Sequence, residues 1–148
     1  ELSGYGEMGK INSKIVFDGM LESFKLCQKY GIRVGLGTDA GSTFVTHYNF
    51  YKELVLMQNY CNISSEYALF LGTLSNATIL GMQDKIGSIE VNKLADMLIV
   101  ENDPIKDLNN LGKPKMVMID GKLIRKPKIK YQKKVEEKIS RINWTNQK

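Results

Sequence analysis

The first third of the chain passes from a helical pattern directly into a strand pattern, with a glycine at the boundary. From Ser13 to Tyr30 the apolar residues recur at helical spacing, namely Ile15, Val16, Met20, Phe24 and Cys27. Gly31 then stands where a helix C-cap is expected. The following residues, IRVGLGTD, predict a short buried strand, because Ile32, Val34 and Leu36 are apolar and the intervening glycines permit close packing. One helix, one glycine and one strand make an α/β step.

Two further helices are predicted after the turn-rich sequence AGSTFVTH. The first extends from about Tyr48 to Tyr60, and its apolar stripe consists of Phe50, Leu54, Met57 and Cys61. The second begins with Ser64 or Ser65 as its N-cap and continues to Gly81. We expect this pair of helices to cover the strand and to bury a substantial apolar face.

The pattern changes at Asp84 into short strands separated by turn signals. Strands are predicted within residues 85–89, 96–100 and 114–124. Asp120-Gly121 between apolar pairs indicates a hairpin, because a type I′ turn needs positive φ at both central residues. Three or four short strands make a poor core alone, so we expect them to complete a sheet whose other strands lie elsewhere.

Composition sets the class of protein and separates off a basic end. The 148 residues are 43% hydrophobic and 25% charged, which is ordinary for one soluble globular domain. No apolar run approaches the roughly 18 residues that a membrane-spanning helix requires, so no membrane partner and a cytoplasmic location are expected. Residues 122–148 hold ten Lys or Arg against two Glu, and residues 126–148 predict a short terminal helix with the apolar stripe Val135, Ile139 and Ile142.

The basic end has two interpretations. Lys-rich ends are most often solvated helical faces, and the alternative is contact with nucleic acid or another acidic surface. Only Tyr131 and Trp144 are aromatic there, too few to interleave with the lysines as a stacking platform. Nucleic acid is therefore not the expected partner.

The chain begins at Glu1, and its opening, ELSGYGEMGKINSK, predicts a loop entered in the middle of a protein. We therefore expect the chain to be a fragment of a longer protein.

The sequence GLGTDAG carries the strongest chemical signal. It places the carboxylate of Asp39 at the C-terminal end of the predicted strand, followed by a flexible loop. In α/β barrels reactive groups lie at this end of the strands. From the residues alone, Asp39 is either such a group or a turn former before glycine.

Three blocks follow one another along the chain, namely GIRVGLGTDAG, TLSNATILG and GSIEVNKLADMLIV. Together they resemble the amidohydrolase superfamily, in its branch of imidazolonepropionase-like and prolidase-like enzymes. GIRVGLGTDAG is similar to the family's eighth barrel strand, and TLSNATILG to a family helix of the form T-x-N-A-A-x-x-L-G. GSIEVNKLADMLIV is similar to a family turn and strand, with Val91-Asn92 where Pro-Gly is usual. Asp103-Pro104 and the closing VMIDGK complete the resemblance, which covers about residues 14–124.

The resemblance implies an α/β fold that is the C-terminal fragment of a (β/α)₈ TIM barrel, comprising its last helix–strand–helix units, plus part of a small β-sandwich. Residues 1–83 would belong to the barrel, 84–125 to the composite β-sandwich domain, and 126–148 would form the basic helical tail. Such a chain cannot close a barrel, so the N-terminal part of the barrel is an expected partner. Self-association into a homo-oligomer stays open.

The resemblance also implies a metal-dependent hydrolase that acts on C–N bonds of small substrates such as dipeptides or cyclic amides. In the family a divalent metal, here expected to be zinc, is held by histidines on earlier strands, and the eighth-strand aspartate completes the site. Asp39 would then be both catalytic residue and metal ligand. His47, the single histidine, is either a substrate-binding residue or a surface residue near the next helix. One imidazole and one carboxylate fall short of three ligands, so the fragment alone should bind no metal stably and be inactive.

Two other classes of function remain open from the sequence. One is an amidohydrolase-like scaffold that has lost catalysis, because the histidines it lacks would lie upstream. The other is a basic binding module, which depends on the tail alone. The retained GTDAG context of Asp39 favours the enzyme, since drift after loss of activity would leave no chemical reason to keep it.

Overall fold

A computed structural model describes residues 6–41 and 45–140 of the chain. It is an α/β structure with one three-stranded antiparallel sheet among the described residues. The helices are α1 (Glu7–Lys29), α2 (Tyr51–Cys61), α3 (Ser65–Phe70), α4 (Asn76–Ile79) and α5 (Lys133–Ser140), and the strands are β1 (Met97–Val100), β2 (Pro114–Ile119) and β3 (Lys122–Ile124). Short 3₁₀ turns cover His47–Asn49 and Leu108–Gly112, and a π-helical turn, Leu71–Ser75, joins α3 to α4.

Helix α1 ends where the sequence predicts and begins earlier. The N–H of Ile32 donates to the carbonyl of Cys27 (2.8 Å) and that of Gly31 to Gln28 (3.2 Å), with Gly31 at φ +65°. These two bonds form a Schellman C-cap. The prediction of a loop was wrong for residues 7–14, because helix α1 already starts at Glu7, while residues 1–5 lie outside the described residues. Met8, Ile11 and Ile15 extend the helical spacing toward the N-terminus, which the absence of an N-cap signal concealed.

The segment after Gly31 is extended but is not a strand. Among the described residues no strand pairs with residues 32–39, and only Ala40 forms an isolated bridge. A β-strand needs a neighbouring backbone to bond with. Here side chains bond the backbone instead: Asn76 contacts Leu36, and Ser75 donates to the carbonyl of Val34. The predicted strand over IRVGLGTD is thus corrected to an extended segment held by a helix.

Helices α2 and α3 pack around a small core made of Leu54, Ala68 and Leu108. Ser64 caps α3 as predicted, its Oγ accepting from the N–H of Tyr67 (3.1 Å). Helix α3, the π turn and α4 follow without a break and end before Gly81, whose φ is +67°. Helix α2 starts later than predicted, at Tyr51, because residues 47–49 wind as a 3₁₀ turn.

The sheet has the order β1-β2-β3, with Leu98 opposite Val117 and Met118 opposite Leu123. The turn between β2 and β3 has φ +48° at Asp120 and +72° at Gly121, which confirms the predicted pair of positive φ angles. The predicted strand at residues 85–89 was wrong: these residues form turns. Gly87, at φ +97°, packs against Ala77 with no room for a Cβ, so the backbone there follows the helix surface.

The basic end contributes α5, which confirms a helix in residues 126–140. Of its predicted apolar stripe, Ile142 and Trp144 lie outside the described residues, as does the side chain of Ile139. Tyr48 contacts this end of the chain through Tyr131 and Gln132, just before α5, and through Glu136 within it. No described helix is both long enough and apolar enough to cross a membrane.

Candidate active site around Asp39

Asp39 lies at the end of the extended segment in an uncommon backbone conformation. Its φ is +51°, in the left-handed region that costs most L-residues energy and that Asp and Asn tolerate best. The side chain is exposed, and no hydrogen bond joins its carboxylate to another described residue. A capping or turn-forming aspartate would use its carboxylate to bond the nearby backbone. Within the described structure, the Asp39 carboxylate is instead exposed and is not used in a cap or a turn.

The backbone that leads to Asp39 is fixed by one helix. Asn76 Nδ2 donates to the carbonyl of Leu36 (2.9 Å), and the Leu36 N–H donates to Asn76 Oδ1 (2.9 Å). Ser75 is buried, and its hydroxyl donates to the carbonyl of Val34. Gly35 permits this approach, because a Cβ there would stand 2.1 Å from Asn76 Oδ1. The residue three positions before Asp39 is therefore bonded on both its donor and its acceptor.

His47 lies beyond the same loop, at the start of the 3₁₀ turn, and its side chain is exposed. Gly41 donates its N–H to the carbonyl of Val45 (3.2 Å), so the described ends of the loop meet. No hydrogen bond or ion pair links His47 to Asp39. The structure thus puts the two predicted site residues on one loop connection without bringing them into contact.

The described chain does not by itself fit a metal. Across residues 6–41 and 45–140, no three His, Cys, Asp or Glu side chains come together as a cation site. A catalytic zinc normally has three protein ligands. Asp39 offers one carboxylate, and the residues present do not complete a coordination shell around it.

The apolar cleft between the helices and the sheet is a separate feature. It encloses about 810 Å³ and is lined by residues that include Tyr48, Tyr51, Leu54 and Met97, but neither Asp39 nor His47. Its one acidic lining residue, Asp96, already accepts a hydrogen bond from the N–H of Asp120 (2.7 Å). A large cleft is the usual starting point in a search for an active site. Here the carboxylate that follows the extended segment lies outside the cleft, so we place the candidate site at Asp39.

Sequence reasoning overlooked the residues that hold the site. The motif TLSNATILG contains Ser75 and Asn76, but it predicts no contact for either residue. Their signal is a pair of small polar residues on an otherwise apolar helix face, where a buried polar group requires a partner. Tyr48 and Glu136, joined by a hydrogen bond of 2.7 Å, are 88 positions apart, and no local pattern predicts such a pair.

A protein-family comparison identifies the class. The Amidohydrolase family model matches residues 12–124. The chain therefore belongs to the amidohydrolase family, which confirms the resemblance seen in the sequence.

Two curated relatives match over part of the chain. A 5′-deoxyadenosine deaminase of Methanobrevibacter smithii is 35% identical over 80 residues, which cover 49% of this chain and 18% of that protein. An imidazolonepropionase of Picrophilus torridus is 35% identical over 77 residues, covering 52% of this chain and 19% of that protein. The matched region thus spans about a fifth of the length of these relatives.

Solved structures extend the similarity to the whole fold. A protein from Bifidobacterium longum, described as a candidate prolidase, superposes with a TM-score of 0.85 at 34% identity, covering 95% of this chain and 34% of that one. A Xaa-Pro dipeptidase with bound methionine in its active site gives a TM-score of 0.67 at 31% identity, with coverages of 82% and 29%. The chain corresponds to about a third of these structures.

Proposed function

We propose that this chain is the C-terminal part of an amidohydrolase that hydrolyses a C–N bond in a small substrate, with Asp39 as its catalytic carboxylate. The observation that carries the proposal is the placement of Asp39. It stands exposed, at φ +51°, at the end of a segment whose backbone Asn76 and Ser75 hold in place. Asp39 also falls inside the region matched by the family model.

In this proposal residues 1–83 complete the last units of a (β/α)₈ barrel and residues 84–125 contribute to a composite β-sandwich. Residues 126–148 form a tail. The extended segment at residues 32–37 would gain its strand partners from the rest of the barrel, supplied by polypeptide outside this chain. Exposed apolar side chains on α1 fit such a neighbour, among them Met8, Ile15 and Met20, each more than 60% exposed.

The chemistry assigned to Asp39 is proton transfer. Its carboxylate accepts a proton from the attacking water while the water oxygen bonds to the substrate carbon. The protonated carboxyl then returns that proton to the departing nitrogen as the C–N bond breaks, so the residue ends as it began. A positioned acid–base group of this kind contributes about 10²–10⁴-fold to the rate. Fixing the backbone before Asp39 keeps the carboxylate in one place for both transfers.

A divalent cation, with zinc the expected identity, belongs to the complete site in this proposal. Asp39 is the one ligand that this chain would offer it, and histidines of the remaining barrel would supply the others. His47, exposed on the same loop connection, is proposed to contact the substrate.

The proposal is tested on the full amidohydrolase that contains this chain, with the chain alone as control. Substrates follow the relatives: Xaa-Pro dipeptides first, then imidazolonepropionate and 5′-deoxyadenosine. Hydrolysis by the full protein, lost with a chelator and restored by zinc, together with no turnover by the chain alone, would support the proposal. No hydrolysis of any C–N substrate by a folded, metal-loaded protein would instead favour a scaffold without catalysis.

A further inference from the structure

The tail segment 131–140 contacts the connection between Asp39 and helix α2. The Tyr48 hydroxyl donates to Glu136 Oε1 (2.7 Å) and accepts from the N–H of Gln132 (3.2 Å). The ring of Tyr48 also meets that of Tyr131 edge-on, with centroids 5.2 Å apart. One side chain beside His47 therefore binds both the start of α5 and its first turn.

The hydrogen-bonding groups at the start of α5 are satisfied partly by Tyr48. The first N–H groups of a helix have no partner within the helix and must find one elsewhere. The carbonyl of Gln132 accepts from Val135 and Glu136 (2.8 and 3.0 Å), while its own N–H is satisfied by Tyr48. Glu136 in turn accepts from Tyr48. The beginning of α5 and the Tyr48 hydroxyl thus complete each other's hydrogen bonds.

The same carboxylate reaches the turn that contains His47. Asn49 Nδ2 donates to Thr46 Oγ1 (2.6 Å) and lies 3.4 Å from Glu136 Oε1. The 3₁₀ turn His47–Asn49 is consequently held from within by Thr46 and from outside by α5. Tyr51 begins α2 two residues after this turn. Burial, and to a smaller extent the neighbouring Tyr131 and Glu136, raise the pKa of its hydroxyl. Three side chains in or next to this turn, Tyr48, Asn49 and Tyr51, therefore face the tail.

Segment 131–140 lies outside the part of the chain that the family model matches, which ends at residue 124. The Bifidobacterium longum structure nevertheless covers 95% of the chain, so its match must continue well into the tail. Segment 131–140 therefore lies beyond the part of the chain that the family model matches. It contacts the loop that follows Asp39, and a contact at that place can adapt the site to a particular substrate.

We propose that segment 131–140 holds the His47 turn in place for substrate binding, with Glu136 and Tyr48 as its positioning residues. This rests on the proposed function, because the turn follows Asp39 on the same loop. Neither residue takes part in proton transfer. Their loss should therefore weaken substrate binding and leave the chemical step unchanged.

The test uses four variants of the full amidohydrolase. Tyr48→Phe removes the hydroxyl and keeps the ring against Tyr131. Glu136→Ala removes the acceptor, and Glu136→Gln keeps one acceptor oxygen. Glu137→Ala is the matched control, with the same change one position along α5 at an exposed side chain. Hydrogen exchange of the amides of residues 46–50 and the steady-state kinetics on a Xaa-Pro dipeptide are measured for each.

We expect exchange at residues 46–50 to rise roughly tenfold in Tyr48→Phe and Glu136→Ala, as loss of a hydrogen bond to a charged group implies. In the same two variants KM should rise severalfold, while kcat should stay within about twofold of wild type. Both the exchange rate and the KM of Glu136→Gln should lie between those of wild type and Glu136→Ala. Glu137→Ala should match wild type in every measurement. Unchanged exchange in both variants, or faster exchange with unchanged KM, would overturn the proposal. If the wild-type enzyme hydrolyses none of the substrates, the proposed function fails. The hydrogen-exchange data are independent of activity, so they still decide whether segment 131–140 holds this turn.

Discussion

The side-chain amide of Asn76 bonds both the N–H and the carbonyl of Leu36, each at 2.9 Å. An amide side chain carries one acceptor and two donors, so it can reproduce the two bonds that a neighbouring strand would make to one residue. Through this pair, helix α4 fixes the chain three residues before Asp39. The packing of a helix is thereby linked directly to the position of the proposed catalytic carboxylate.

Asn76→Ala should lower the free energy of unfolding by about 2–3 kcal/mol, because it removes two hydrogen bonds and leaves the half-buried Leu36 N–H and carbonyl without protein partners. Urea denaturation measures it. Asn12→Ala is the matched control, since Asn12 is exposed on α1 and forms no hydrogen bond with another described residue. Equal stabilities of the two variants would show that the Asn76 bonds contribute nothing.

Gly35→Ala should disrupt the same contact from the opposite side. An added Cβ would stand 2.1 Å from Asn76 Oδ1 and 2.8 Å from Ile79 Cδ1, so these side chains must move and the Asn76 bonds to Leu36 must distort. Gly37→Ala is the control, because no described atom lies within 4 Å of a Cβ at that position. In a double-mutant cycle, Gly35→Ala should cost less in the Asn76→Ala background than in wild type. Fully additive losses would separate Gly35 from the Asn76 contact.

The 148-residue chain alone should bind no stoichiometric divalent metal, because its described residues bring no three ligating side chains together. Elemental analysis after dialysis against zinc at neutral pH checks this. About one tightly held zinc per monomeric chain would contradict it and would mean that this chain's own residues complete a site.

Elements with strong local signals could be predicted from the sequence. Gly31 ended α1 because only a residue that tolerates positive φ completes the C-cap, and Asp120-Gly121 set the hairpin in the same way. The extended segment at residues 32–39 has the alternation of a strand and is predicted as one. Its pairing depends on backbone that is distant in sequence, which local periodicity does not contain.

The candidate site was predicted only in part, for the same physical reason. Asp39 could be predicted because the eleven consecutive residues GIRVGLGTDAG contain the whole signal. This signal is an apolar run that ends in a carboxylate between two glycines. Its support comes from Asn76, 40 positions away from Leu36, and the contact of Tyr48 with Glu136 spans 88 positions. Side-chain bonds across such separations follow from the packing of helices and not from the spacing of residue types.

Asp39→Asn in the full amidohydrolase tests the central claim most directly. Asn has nearly the same shape and tolerates φ +51° equally well, so the backbone should stay as it is. It cannot accept and return a proton, so kcat should fall by about 10²–10⁴-fold. The melting temperature should remain within a few degrees of wild type. Asp84→Asn, which removes the same charge from another exposed turn residue, serves as the control and should keep normal kcat.

The decisive measurement is kcat, taken with melting temperature and metal content on the same preparation of Asp39→Asn. The account predicts a folded, metal-containing protein with kcat reduced at least about a hundredfold. A variant with near-normal kcat, or one whose activity falls only in proportion to a lower melting temperature, would contradict the assignment of Asp39 as the proton-transfer group.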